Sequence, residues 1–143
     1  MQDRPTSIEL LEAAAEFVER EIVPATEGRR QFQSRVVANV LKIVAREIAL
    51  EEPQLRAEVR SLADLLGQPT PDPAGLKELR EAGRALNQEL VERIRKGDAD
   101  RGPWREQLFK VVRELVEEKL KVANPRYLEA DLAARDAAQA RDK

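Results

Sequence analysis

Histidine and cysteine are both missing from this chain of 143 residues. Without cysteine there are no disulfides, thiolate nucleophiles or zinc–thiolate sites, a composition compatible with a reducing cytoplasm. Without histidine there is no imidazole base and no Ser-His-Asp or Cys-His arrangement. Nearly every transition-metal site that relies on nitrogen or sulfur ligands is excluded with it. Aromatic residues are scarce at 3%, so a core must be built from Leu, Val, Ile and Ala. No stretch approaches the ~18 apolar residues of a membrane span, and the start, "MQDRPTSIE", has neither the basic nor the apolar region of a secretory signal. The expectation is a cytoplasmic protein without membrane contact. A net charge of −2 argues against nucleic acid as a partner, because a phosphate backbone calls for a clustered basic excess. Glycine-rich phosphate loops, dinucleotide fingerprints and Gly-x-Ser-x-Gly elbows are absent too.

What the chain does contain is apolar (42%) and charged (36%) residues at helical spacing, long enough to bury a core without staples. Thr6-Ser7-Ile8-Glu9 fits a capping box ahead of Ile8, Leu11, Ala15, Val18 and Ile22, which predicts a first helix ending at Pro24. A second helix is expected from 27–31 to about Leu50. Its apolar arc of Phe32, Val36, Val37, Val40, Leu41, Ile43, Val44 and Ile48, extended by Ala38 and Ala45, spans close to half the helical wheel. Such a helix should be buried on more than one side, at the centre of the fold or against a second subunit. Pro53 reads as the first residue of a third helix, stopped by Gly67. "GQPTPDPAG" is a connection,. A fourth helix from about Pro73 to Lys96 carries Gly83 on its apolar stripe, which suggests close approach of a neighbouring helix. Pro103 opens a fifth, ended by Asn124-Pro125. The reading is all-α: a compact, mostly antiparallel five-helix bundle in one domain, 1–128. Residues 129–143 form a charged, Ala-rich tail, either a short helix or without order.

Candidate contact residues are few. Asn39 lies at the edge of the second helix's apolar arc, with Arg35 and Arg46 on its polar side; an amide there can fix how helices pair. Glu47 falls near the middle of the arc, where an unpaired buried carboxylate is very unfavourable. It is expected to find a cation or to emerge from the core. Asn124-Pro125 should turn the chain so that Tyr127 and Leu128 dock back onto the bundle. Arg35, Asn39 and Arg46 could otherwise form the mouth of a pocket for an acyl or CoA-like ligand. Four Glu-x-x-Glu pairs, at Glu16/Glu19, Glu78/Glu81, Glu89/Glu92 and Glu114/Glu117, leave open a magnesium-dependent helical nucleotide hydrolase. Their outward positions on the wheel speak against it. No catalytic residue, metal ligand or cofactor is assigned.

Four stretches, "MQDRPTSIELLEAAAEFVE", "FQSRVVANVLKIVAREIALE", "IRKGDAD" and "KLKVANPRYL", together resemble a family of small bacterial helical proteins, a domain of unknown function. The resemblance covers residues 1–128 and contains no catalytic motif. Members are often encoded beside aminoglycoside-phosphotransferase-like kinases and acyl-CoA dehydrogenases. The resemblance therefore implies a setting in acyl-CoA or small-molecule catabolism, with such an enzyme as partner. Taken with the residues, it gives the expectation of a non-enzymatic interaction or accessory protein that forms a homodimer.

Overall fold

The computed structural model describes residues 4–141, and among these every regular element is helical. The elements are α1 (Ser7–Phe17), continued by a π-helical turn (Val18–Ile22), α2 (Gly28–Leu66), α3 (Leu76–Arg95), α4 (Pro103–Ala123) and α5 (Pro125–Arg141). The all-α expectation is borne out, with five helices, though not the five that proline placement suggested. They group into two compact units, residues 1–50 and 51–143, with α2 contributing to both.

The first correction concerns Pro53. It lies inside α2 rather than at the start of a new helix. Proline removes the N–H that would bond the Ala49 carbonyl and crowds that carbonyl, at about 3 kcal/mol in a helix interior. Contacts within the second unit hold the helix on both sides of the fault. Arg80 donates to both carboxylate oxygens of Glu51 at 2.5 and 2.7 Å, and the Gln54 amide donates to the Glu118 carbonyl at 2.8 Å. The hydrogen bond from Arg80, with its charge, keeps the Glu51 carboxyl below its ordinary range despite partial burial,. Tertiary anchoring has overridden a local stop signal. The stop that does hold is Gly67, whose φ of +72° is left-handed, letting the Gln68 N–H reach back to the Ala63 carbonyl at 2.9 Å,.

The core of the second unit is aliphatic. Val59, Leu62, Ala63, Leu65 and Leu66 of α2 meet Leu79, Leu86 and Leu90 of α3 and Leu108 of α4. Val59, Leu62 and Leu79 are its largest fully buried side chains. Bonds along the helices fix their directions. Arg80 meets Glu51 and Asn87 meets Glu58, so α3 runs parallel to α2. Trp104 Nε1 donates to the Leu65 carbonyl at 3.0 Å while Gln54 reaches Glu118, so α4 runs antiparallel to α2. A parallel neighbour requires the chain to travel back the length of a helix. The Pro-rich segment 67–75 is that return: nine residues at ~3 Å each in extended, proline-stiffened backbone span the distance.

Gly83 is buried against α2, as its place on the stripe suggested. A methyl built there would lie 3.7 Å from Val59 Cγ2 and 3.8 Å from Leu55 Cδ2. That is ordinary contact with side chains, so the expected backbone approach is not what glycine serves here.

The described part of the tail is helical through Arg141. Asn124 caps it, accepting the Tyr127 N–H on Oδ1 at 3.2 Å, and Pro125 sits at its first position, where a missing N–H does no harm. Leu128 docks and is 7% exposed. Arg135, which bonds Glu117 of α4 at 2.5 Å and Asp131 within α5, adds an ionic tie. Tyr127 does not dock; it is 57% exposed.

Candidate interaction surface

The first unit is a hairpin of α1 and the opening half of α2. α1 turns Ile8, Leu11, Ala15, Val18 and Ile22 toward α2, and its capping box forms as read from the sequence. Glu9 accepts from the Thr6 N–H at 2.7 Å, and Thr6 Oγ1 accepts from the Glu9 N–H at 3.2 Å. The linker folds back along the first turns of α2, where the Gln31 amide donates to the Val23 carbonyl at 3.2 Å.

What this hairpin buries is small. Its fully buried residues are Ala15, Ala38 and Ala45. Large apolar side chains stay outside: Phe32 is 66% exposed, Phe17 57%, Leu10 56%, and Val36, Val37, Val40, Val44 and Ile48 between 36 and 50%. The expectation that residues 27–50 are wrapped in hydrocarbon on nearly all sides is therefore wrong for a single chain. The wide arc is there, but on it only Ala38 and Ala45 are buried and Leu41 and Ile43 half-buried, because within the hairpin α1 alone packs against it.

The contact between Lys42 Nζ and Glu19 Oε2, 2.6 Å, sets the register of the two helices. It places Phe17 level with Val44 and Ala14 level with Ile48. At ~100° per residue, the helices also share a division into two flanks. One flank carries Glu12, Glu16 and Glu19 on α1 and Arg35, Asn39, Lys42 and Arg46 on α2. The opposite flank carries Leu10, Ala14 and Phe17 on α1 and Val37, Val44 and Ile48 on α2. Phe32, Val36 and Val40 continue this apolar surface around the back of α2. Glu47 lies on that back, exposed and without an ion pair among the described residues.

Other candidates are placed less suggestively. Arg35 and Asn39 are exposed on the charged flank. A shallow cleft touches Arg46, but Glu12, Glu16, Glu19, Arg20, Lys42 and Ala45 line the rest of it. Three carboxylates make that a poor seat for a CoA phosphate. The Glu-x-x-Glu pairs do not converge, and among the described residues no three acids gather around a point that a cation could occupy. Glu16 and Glu19 instead pair with Arg20 and Lys42, Glu89 takes the Gln68 amide and Glu117 takes Arg135. Asn124 is committed to its cap.

The second unit has an exposed stripe of its own on α4, Phe109, Val112 and Val116, beside Val91 and Ile94 of α3. Cations edge it, with Arg105 over the Phe109 ring at 5.2 Å. This stripe lies outside a complete core, whereas the apolar flank of the hairpin stands where a core is missing. Reading the sequence missed the distinction, because both stripes show the same spacing.

Fold and surface together define an all-α protein with a helical hairpin whose larger apolar side chains are uncovered. The chain belongs to the family described as Domain of unknown function (DUF6285), matched over residues 24–127. The match takes in α2, α3 and α4 but not α1, which the resemblance noted above had included. None of the curated proteins and none of the solved structures compared is significantly similar to the chain. No helix among the described residues is long and apolar enough to cross a membrane.

Proposed function

We propose that this chain is a non-enzymatic helical interaction protein of the cytoplasm that works as a homodimer. One observation carries the reading: a two-helix unit with three alanines as its buried residues leaves eight large apolar side chains in water. Exposed contiguous apolar surface of more than a few hundred Å² is uncommon on a protein that acts alone. The composition supports the same reading, since neither imidazole nor thiol is available for catalysis. A hydrolase using clustered carboxylates would need acids that converge, and a CoA-type ligand would need a cationic cleft; the surfaces described offer neither. A phosphotransferase-like kinase or an acyl-CoA dehydrogenase, the partner that the family resemblance implies, would on this view meet an assembled dimer.

Sedimentation equilibrium of the intact chain tests the reading. The expected particle at micromolar concentration has twice the 16.2 kDa chain mass. A particle of one chain mass across the micromolar range contradicts it.

A further inference from the structure

We infer that the dimer forms through the apolar flank of the hairpin, flank to flank, so that two hairpins complete one four-helix bundle. This rests on the homodimer reading above and adds where the second copy sits.

Three observations place it there. First, the two flanks of the hairpin are chemically unlike. The charged flank already satisfies part of its charge within one chain, through Lys42 with Glu19 and Arg20 with Glu16. The other flank is mostly hydrocarbon, from Leu10, Ala14 and Phe17 across to Val44 and Ile48, with the exposed Glu21 and Arg30 toward its linker end. Burying it desolvates fewer charges than burying the charged flank would.

Second, the area is right for a second copy. Taking ~150–250 Å² for a fully exposed large apolar side chain, the exposed fractions of the five on this flank, Leu10, Phe17, Val37, Val44 and Ile48, correspond to roughly 500 Å²,. Two copies together bury roughly 1,000 Å², the area that a specific interface clears. Since a two-fold axis presents the same patch twice, one hairpin supplies the area that the other needs.

Third, the packing requirements match. The alanines at positions 15, 38 and 45 bring α1 and α2 close together and fill little volume. Four helices arranged around a shared interior place large side chains in the middle and small ones between neighbours. Phe17, Val44 and Ile48 stand ready as that interior, and Ala14 beside them offers a recess for a facing aromatic ring. Glu47, Arg35 and Asn39 lie off this flank, so the arrangement leaves all three in water.

The α4 stripe in the second unit is the rival surface, and the test sets the two against each other. Val44→Glu and Ile48→Lys are made on the flank and Val116→Glu on the stripe, all at positions already in contact with solvent. Each is studied in the full chain by sedimentation equilibrium, with circular dichroism to follow helix content. The expected result is that both flank substitutions weaken self-association by at least about 30-fold, the size of an interface hot spot, while Val116→Glu dimerises as the unsubstituted chain does. A dimer that withstands both flank substitutions, or that Val116→Glu also dissociates, overturns this placement and leaves the homodimer reading standing. An unsubstituted chain that is monomeric overturns both.

Discussion

Leu62→Ala is expected to destabilise the second unit by about 2–5 kcal/mol, the range for leucine truncation in a packed core. Leu62 is fully buried between α2, α3 and α4, with Val59, Leu65, Leu79 and Leu86 in the same cluster. The α2 backbone there is anchored by Trp104 Nε1 on the Leu65 carbonyl, so the site has little freedom to collapse around a lost side chain. Trp104 also makes the measurement clean. It is the one tryptophan of the chain, it belongs to this core, and Arg93 stacks over its ring at 4.4 Å, so its fluorescence reports the unit directly. The urea midpoint followed by that signal should fall well below that of Leu132→Ala, a truncation of a leucine that is 42% exposed. Equal midpoints for the two variants would mean that the cluster around Leu62 is not the centre of this core.

The second large effect has the opposite sign. Pro53→Ala is expected to raise stability, by up to about 3 kcal/mol, the difference between proline and alanine inside a helix. Alanine restores the N–H that the Ala49 carbonyl lacks and relieves the crowding at that carbonyl. The contacts on either side, Glu51 with Arg80 and Gln54 with Glu118, already hold α2 in helical conformation, so the substitution needs no rearrangement. The urea midpoint should move upward with its slope unchanged. A midpoint that stays put or falls would show that the helix at residue 53 depends on the proline.

These two residues also show what was legible in the sequence. Apolar spacing fixed the identity of the elements: the capping box at Thr6, the stripe through Leu79 and Leu86, and the start of α4 at Pro103 all appear where the pattern put them. Pro53 was misread because a proline is a local signal, and whether a helix survives it depends on contacts made some 30 and 60 residues away along the chain. The parallel course of α2 and α3 was equally hidden, since it is written in which side chains meet rather than in either helix. The length and proline content of 67–75 were the only hint. On the hairpin, periodicity showed correctly that α2 carries a wide apolar arc but could not show what covers it. An arc buried in a bundle and an arc left uncovered have the same spacing; the difference lies in the number of helices packed against it. Tyr127 and Leu128 make the same point on a small scale, two adjacent apolar residues of which one turn of α5 buries only the second.

The central claim is that the Phe17–Val44–Ile48 flank is covered by protein in solution. Because the chain has no cysteine, a single Val44→Cys substitution gives one thiol, and its alkylation rate reads the cover at that point directly. Val116→Cys, on the exposed α4 stripe, serves as the reference. The thiol at position 44 should react much more slowly than the one at position 116 at high protein concentration, and should accelerate on dilution as the two copies part. Equal rates at the two positions, unchanged by dilution, would contradict the claim.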